Sequence, residues 1–176
     1  MTIPSDELLI GYDYDAWHGY GEKIPIRVDA STKNNTHTLI CGMSGSGKSY
    51  LTNQYLARIC LHGGKESVVY FADFKQDDSF AHLRNLPRYF PYDKTTDALE
   101  EVYEIMHRRQ CGEDTSRNFV TLVFDEYIAC ILALLASDKK KAVAVQKKVS
   151  EILMLGRSLA VRIVIACQRP DATAFP

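Results

Sequence analysis

The chain has 176 residues and a formal net charge of −1. This length is that of one ordinary domain, and 46% hydrophobic with 24% charged residues excludes an intrinsically disordered chain. The near-neutral charge excludes the global basic field of many free-standing nucleic-acid-binding domains, so a DNA contact would require a local patch or several subunits.

The cysteines and apolar runs indicate a chain that stays in a reducing compartment and outside the membrane. There is no CxxC pair, so we predict buried free thiols, and neither disulfides nor zinc ligands, at Cys41, Cys60, Cys111, Cys130 and Cys167. The N-terminus lacks the basic and apolar regions of a signal peptide. The longest apolar run, residues 128–136, is far below the ~20 residues of a membrane span. We therefore expect a cytoplasmic segment without membrane contact, and any anchor would lie in another part of a longer protein.

Short apolar runs alternate with amphipathic segments from residue 37 onward. The runs predict buried strands at 37–41, 67–72, 119–124 and 162–167. The amphipathic segments predict helices from 48 to the glycines at 63–64, over 97–110 and over 144–160. Asp97 and Glu100 resemble a capping box, and Gly112 follows the end of that helix. The residues expected on the buried helix faces are Leu51, Tyr55, Leu56 and Ile59, then Leu99, Val102, Tyr103 and Met106, and finally Val145, Val149, Ile152 and Leu153.

This alternation predicts an α/β fold with a mostly parallel sheet and helices on both faces. Ligands bind such sheets at the carboxyl ends of the strands. Residues 1–36 are mixed polar and aromatic with turn-rich pieces, and we interpret them as a lead-in with one or two short strands. Residues 37–176 are the predicted main domain.

A glycine-rich loop joins the first buried strand to the first long helix. Its sequence, GMSGSGKS, fits the phosphate-binding pattern G-x-x-x-x-G-K-[ST] at every fixed position. Glycines let successive N–H groups face one anion, and the helix start adds unpaired N–H groups and a positive dipole end. The strand before and the helix after disfavour a chance turn. We predict nucleotide binding, with ATP as the ligand, by Gly42, Met43, Ser44, Gly45, Ser46, Gly47, Lys48, Ser49 and Tyr50.

Two further predicted strands end in polar residues. Asp125 and Glu126 follow the third strand, where an aspartate can hold Mg²⁺ and the next glutamate can polarise a water molecule for attack on a γ-phosphate. A cap of the following helix is the alternative use of this pair. Gln168 follows the fourth strand, where an amide can contact the γ-phosphate or the attacking water, or where it is a plain turn residue before a proline.

With these stretches the chain resembles a known family. CGMSGSGKS, VFDEY and GRSLAVRIVIACQRPDA, in this order, are similar to the motor domain of FtsK/SpoIIIE DNA translocases. Conjugative coupling ATPases and type VII secretion ATPases belong to the same FtsK/HerA superfamily. The third stretch is the one that distinguishes this family from other phosphate-loop proteins, because a helix ending near an arginine, followed by a strand and Gln-Arg-Pro, is not general to them. The resemblance runs from about residue 37 to 172 and implies a RecA-like P-loop NTPase, a hexameric ring and ATP-driven movement of double-stranded DNA.

The resemblance implies a role for each matched position. Lys48 and Ser49 would bind phosphate and Mg²⁺, and Asp125 would hold the metal, partly through water. Glu126 would activate water and Gln168 would sense the γ-phosphate, so the predicted catalytic residues are Glu126, Lys48 and Gln168, and the predicted metal ligands are Ser49 and Asp125.

Two weaker matches complete the resemblance. FADFK, residues 71–75, resembles a strand-end Asp-x-Lys, which places Asp73 and Lys75 near the site or a subunit boundary. Arg157 matches a basic position before the last strand, but an exposed helix arginine without an interfacial role is the favoured interpretation. The sequence stops before a strand that normally flanks the phosphate-loop strand, so we expect a C-terminally truncated domain, an exposed sheet edge at 37–41 and weak ATPase activity in isolation.

The other charged and aromatic clusters have simpler interpretations. Five lysines in residues 137–148 favour a solvated helix face over a DNA-phosphate patch. The cations of residues 107–110 complement a helix C-terminus. We expect Tyr12, Tyr14, Trp17 and Tyr20 to pack against the core. No histidine has metal-ligand spacing.

Three functions remain open at the level of sequence. The leading hypothesis is an ATP-driven DNA translocase module from cell division, sporulation or a mobile element. The second is the same motor moving protein in a type VII-like secretion system. The third is a nucleotide-binding assembly module that does not hydrolyse ATP.

Overall fold

Seven strands and five helices make up the part of the chain that the structure describes. The computed structural model describes residues 7–29, 37–63 and 66–175. Short 3-10 turns lie at Asp78–Leu83, Tyr92–Lys94 and Gly156–Leu159. In chain order the elements are β1 (Glu7–Tyr12), α1 (Tyr14–Tyr20), β2 (Pro25–Asp29), β3 (Thr38–Cys41), α2 (Lys48–His62), β4 (Val68–Asp73), β5 (Tyr89–Pro91), α3 (Thr95–Gln110), β6 (Val120–Asp125), α4 (Tyr127–Ser137), α5 (Lys139–Leu155) and β7 (Val161–Cys167).

Strands β3 to β7 form one sheet in the order β3-β7-β6-β4-β5, and every neighbouring pair is parallel. The two central strands β6 and β7 are buried along their whole length, as expected for a sheet covered on both faces. The predicted α/β fold is therefore confirmed, and all four predicted strands are present. β3 forms one edge of the described sheet, as predicted, whereas the three-residue β5 at the other edge is too short to show in the sequence pattern.

Helices cover both faces of the sheet. The face under α2 contains a core cluster whose members are Ile40, Tyr55, Leu56, Ile59, Phe71, Phe80, Val123 and Val164. The opposite face packs under α3, α4 and α5, with the buried residues Leu99, Val102, Met106, Leu122, Phe124, Ile131, Val149, Ile152 and Ile163. Residues 122–124 of β6 and 163–167 of β7 belong alternately to the two clusters, because successive side chains of a strand point to opposite faces of the sheet.

The predicted helices are present, with corrections at their ends. α3 begins at Thr95, so the capping box at Asp97 and Glu100 is wrong: Lys94 occupies the N-cap position without a side-chain cap. The hydroxyl of Thr95 donates to the carbonyl of Tyr92 at 2.7 Å and fixes this start. Asp97 instead lies in the first turn, where its charge is favourable.

The last predicted helix, 144–160, is shifted in the structure. α5 begins at Lys139, after Asp138, whose carboxylate accepts from the N–H of Lys141 at 3.0 Å, and it ends at Leu155. Leu153 is 37% exposed, so its predicted place on the buried face is wrong. Within the described ranges, no helix has the combined length and apolarity that crossing a bilayer requires.

Gly156 lies directly after α5, where the chain passes close to the start of β7, and this close approach yields a stability prediction. A Cβ at Gly156 would overlap the backbone carbonyl oxygen of Val161, which cannot move aside without displacing β7. We expect Gly156→Ala to lower the free energy of unfolding by about 1–3 kcal/mol. The matched control is Gly19→Ala, since no atom lies within 4 Å of that added methyl group. Urea unfolding of both variants checks this, and equal stabilities would contradict the close approach.

Arg109 has a larger role than the predicted interaction with a helix dipole. Its side chain is buried, and Nη1 donates to the carbonyl oxygens of Leu159 at 2.7 Å and Ala160 at 3.3 Å. Its Nε also donates to the carboxylate of Asp114 at 3.0 Å. The end of α3 is thereby tied to the turn that leads into β7.

The lead-in and the cysteines differ from expectation. β1 and β2 form an antiparallel hairpin around α1, and Ile10 packs on the α2 side of the core. The expected core packing of the aromatic residues is wrong, because Tyr12, Tyr14, Trp17 and Tyr20 are between 41% and 83% exposed. All five cysteines are free as predicted, but the predicted burial is wrong for three of them, since Cys41, Cys60 and Cys111 are exposed.

Candidate active site

The carboxyl ends of four parallel strands meet at one edge of the sheet. Cys41 of β3 pairs in register with Cys167 of β7, and Asp125 of β6 pairs with Asp73 of β4. The loops that follow these strands enclose a cavity of about 360 Å³. Its lining consists of Met43, Ser44, Gly45, Gly47, Lys48, Ser49, Tyr50, Lys75, Asp77, Ser79, Asp125, Glu126 and Gln168.

The glycine-rich loop has the backbone of an anion cradle. Gly45 and Gly47 have φ values of 79° and 87°, a left-handed region that glycine adopts without strain. Gly47 is also the N-cap of α2, and the N–H of Leu51 makes the first helical bond to its carbonyl at 2.9 Å. The N–H groups of the first turn before Leu51 therefore have no intrahelical partner and are suited to bind an anion.

Lys48 joins the loop to the acidic end of β6. Its Nζ lies 3.2 Å from Oδ1 of Asp125 and 2.9 Å from Oε1 of Glu126, and its side chain is only 8% exposed. Burial disfavours the charged form, but the contacts with Glu126 and Asp125 outweigh it and raise the pKa of Lys48 above its ordinary value. The lysine is therefore a permanent cation between two carboxylates.

Asp125 is a buried carboxylate with a perturbed pKa. Burial raises its pKa to about 6, and the opposing effect of Lys48 does not cancel this. The ammonium of Lys48 shows that the Asp125–Glu126 pair accommodates a cation, and the Ser49 hydroxyl lines the same cavity. In the described ranges no three His, Cys, Asp or Glu side chains cluster as a metal site. The oxygen atoms of Asp125, Glu126 and Ser49 are nevertheless ligands that suit a hard cation such as Mg²⁺, with phosphate and water oxygens completing its coordination.

The raised pKa of Asp125 predicts a pH-dependent stability. Its folded pKa lies above the ordinary 3.8, so the unfolded chain loses this proton first and stability falls as the pH rises from about 4 to about 6. We expect the stability of Asp125→Asn relative to the unchanged chain to increase by about 2–3 kcal/mol over that window. Unfolding of both proteins at several pH values measures the difference, and a difference independent of pH would contradict it.

Glu126 has a strained backbone. Its φ of 55° and ψ of 39° lie in the left-handed region, which costs a non-glycine residue about 1 kcal/mol or more. Although Glu126 occupies the N-cap position of α4, its side chain makes no capping hydrogen bond. The alternative interpretation of Glu126 as a helix cap is therefore wrong, and the carboxylate lies in the cavity, against Lys48.

Asp73 shapes the cavity without lining it. Its buried carboxylate accepts from the hydroxyl of Tyr89 at 2.7 Å and from the N–H of Gln76 at 2.7 Å. Burial and this hydrogen bond raise the pKa of Tyr89 to about 12. Lys75 does line the cavity and contacts Asp77 at 3.1 Å.

Sequence reasoning missed Asp77 and Ser79, which line the cavity beside Lys75. Hydrogen bonds from Ser79, and then from Lys75, lower the pKa of Asp77 to about 2, so this carboxylate is ionised. The signal available in the sequence was their place directly after the strand-end Asp-x-Lys. Arg157 lies in the exposed turn after α5 and does not line the cavity.

The described residues have a RecA-like P-loop NTPase fold, with a glycine-rich loop between β3 and α2 and an acidic end on β6. Solved structures share it. The pCW3 conjugation coupling protein TcpA, in a monomer form with ATPγS, has a TM-score of 0.70 and 19% identity over 98% of this chain and 51% of its own. The cytoplasmic domain of the type VII secretion ATPase EccC from Thermomonospora curvata has a TM-score of 0.62 and 22% identity over 97% of this chain and 22% of its own.

A third structure, ATPases 2 and 3 of EssC from Geobacillus thermodenitrificans, has a TM-score of 0.70 and 15% identity over 99% of this chain and 36% of its own. The predicted resemblance to FtsK/HerA-type ATPases is thereby confirmed for the fold. This chain spans about half of the TcpA chain and less of the other two. No family model and no curated protein matches the sequence.

Proposed function

We propose that this chain is the ATP-binding and ATP-hydrolysing module of a motor related to the FtsK/SpoIIIE translocases. The observation that carries the proposal is the contact of Lys48, on the glycine-rich loop, with both Asp125 and Glu126. The lysine of the phosphate cradle therefore lies within hydrogen-bond distance of both the candidate metal ligand, Asp125, and the candidate base, Glu126. TcpA, which shares the fold, is described with a bound ATP analogue.

The residues of the cavity suggest a division of labour. The N–H groups of the loop and Lys48 bind the β- and γ-phosphates, and Ser49 and Asp125 hold Mg²⁺, which neutralises phosphate charge when bound. As Lys48 turns to the phosphates, Glu126 loses its cation partner and is free to accept a proton from water. Gln168 lines the same cavity, and its amide orients the γ-phosphate or the attacking water.

Double-stranded DNA is the proposed substrate. Lys139, Lys140 and Lys141 are exposed at the start of α5 and are available to phosphate backbones. Lys147 and Lys148 pair with Glu151 and Glu100, so this part of the lysine cluster belongs to the solvated face of the helix. Protein transport is the second candidate, because EccC, a type VII secretion ATPase, also shares the fold, with a TM-score of 0.62.

The proposal includes assembly into a hexameric ring in a cytoplasmic location. β3 pairs with β7 on one side and has no neighbouring strand on the other side in the described sheet, which favours association. We also expect slow hydrolysis by the chain alone. Light scattering tests this, and a strictly monomeric, highly soluble chain would count against assembly.

Calorimetry and a hydrolysis assay test the proposed function. We expect Mg²⁺-dependent ATP binding, and hydrolysis that duplex DNA stimulates most strongly at low salt. The matched control replaces Lys139, Lys140 and Lys141 by glutamine, which should reduce the stimulation and leave basal binding unchanged. Absence of Mg²⁺-dependent ATP binding would refute the function, whereas hydrolysis without DNA stimulation would favour the secretion candidate.

A further inference from the structure

Two thiols lie in contact at the base of the candidate nucleotide cradle. The Sγ atoms of Cys41 and Cys167 are 3.4 Å apart, on residues that pair in register across the parallel strands β3 and β7. Cys41 directly precedes the glycine-rich loop, and Cys167 directly precedes Gln168. The contact therefore joins the two strand ends that position the loop and the candidate γ-phosphate sensor.

The geometry of this pair suits a covalent bond. Neighbouring strands lie about 4.8 Å apart, within the roughly 4.4–6.8 Å Cα separation that disulfides span. In-register residues of parallel strands point to the same face, so both side chains already face each other. A bond of about 2 Å would require the sulfur atoms to approach by a little more than about 1 Å.

The two thiols differ in access to solvent. Cys41 is exposed, whereas Cys167 is fully buried. Burial, together with the hydrogen bond to Cys41, raises the pKa of the Cys167 thiol to about 12. An oxidant therefore meets Cys41 first, and Cys167 is the second thiol, held in place beside it.

We propose that Cys41 and Cys167 form a reversible disulfide that ties β3 to β7 at the base of the cradle and weakens nucleotide binding. The Cys41 thiolate attacks hydrogen peroxide, which gives a sulfenic acid and releases one water. The sulfur of Cys167 then attacks the Cys41 sulfur, and the hydroxyl leaves as a second water with the Cys167 proton. The two thiols lose two electrons, peroxide gains them, and a dithiol reductant restores the pair.

The bond would act on the cradle through β3. The N–H of Gly42 donates to the carbonyl of Cys167 at 3.1 Å, so the loop starts from this strand contact. β3 pairs with β7 alone in the described sheet, so β3 rather than the central strand would move. A Cβ at Gly42 would overlap Oγ of Ser46, which shows how closely the loop is folded against its own start.

The size of the effect follows from the precision that the cradle requires. A misplacement of about 1 Å can lower a catalytic rate by about a hundredfold, and we expect a smaller, roughly tenfold, loss in the affinity for ATPγS after oxidation. The expected effect on ATPγS affinity rests on the proposed function, whereas the formation of the disulfide does not. By linkage, saturating nucleotide should favour the dithiol tenfold, which corresponds to about 30 mV in the reduction potential.

A variant with Cys60→Ser and Cys111→Ser removes the other exposed thiols and is the starting protein. It is reduced, treated with hydrogen peroxide, and examined by peptide mass mapping for a Cys41–Cys167 cross-link. Calorimetry with ATPγS follows on the reduced, oxidised and re-reduced samples. The control adds Cys41→Ser, which should abolish both the cross-link and the loss of affinity on oxidation.

The expected result is a single Cys41–Cys167 cross-link, weaker ATPγS binding, and recovery of both on reduction. Oxidation of Cys41 to sulfinic acid without a cross-link would overturn the proposal, as would a cross-link that leaves ATPγS affinity unchanged. If the reduced protein does not bind ATPγS, the proposed function is refuted, and so is the proposed effect of the disulfide on nucleotide binding. The peptide map decides separately whether the disulfide site exists.

Discussion

Replacing Glu126 by glutamine is expected to lower the rate of ATP hydrolysis by about 10²–10⁴-fold, because an amide cannot accept a proton from water. Binding of ATPγS should stay within about threefold of the original affinity, a difference below about 1 kcal/mol. The amide oxygen still accepts from Lys48, whose Nζ lies 2.9 Å from Oε1, and the side-chain length is unchanged. Single-turnover hydrolysis with protein in excess is the measurement, since we expect the chain alone to be slow.

Two further variants separate catalysis from folding. Glu101→Gln, on the exposed side of α3, makes the same chemical change away from the cavity and should leave hydrolysis unaltered. Glu126→Gly relieves the left-handed strain but also removes the carboxylate that contacts the buried Lys48, and hydrolysis should be lost. If Glu126→Gln hydrolysed ATP at the original rate, the assignment of Glu126 as base would be wrong. Binding without hydrolysis in the unchanged chain would favour the non-hydrolysing assembly module.

The local parts of the candidate site could be predicted from the sequence. The loop at 42–49 is recognisable because phosphate contact through the backbone restricts residue type at consecutive positions. Asp125 is recognisable because it ends a run of buried apolar residues. In both cases the relevant physical constraint acts on neighbouring positions of the chain.

The contacts between these parts could not be predicted, because they depend on the order of the strands. Lys48 and Asp125 are 77 residues apart, and β7, which follows the other described strands in the sequence, lies between β3 and β6 in the sheet. No pattern within a segment records which strand is its neighbour. The Cys41–Cys167 contact, across 126 residues, was missed for the same reason.

Helix α4 was not predicted, for a different reason. Its sequence, YIACILALLAS, is apolar nearly throughout, so it lacks the polar face that reveals a helical period. Tyr127 and Ile131 are buried because the helix packs against both β7 and α5. The aromatic residues of the lead-in were predicted to be buried but are exposed, because amino-acid composition alone does not distinguish an exposed hairpin from the core.

Replacing Lys48 by alanine is expected to weaken ATPγS binding by about 10–150-fold. Hydrogen bonds from a charged donor contribute about 1.5–3 kcal/mol, and each 1.4 kcal/mol is a factor of ten in affinity. The loss has a second source, because Asp125 and Glu126 would face the phosphates without a cation between them. Calorimetry with Mg²⁺ and ATPγS measures the change, and circular dichroism verifies the fold of the variant.

Lys75→Ala is the matched control for the loss of a lysine from the same cavity. The Lys75 side chain is 56% exposed and contacts Asp77, so solvent and that carboxylate already screen its charge. We expect at most about a threefold effect, in the range of an exposed ion pair. The fold should tolerate Lys48→Ala, because Asp125, whose pKa is already near 6, can take up a proton when its cation partner is removed. Equal affinities of the Lys48→Ala and Lys75→Ala variants would mean that the buried lysine does not bind phosphate.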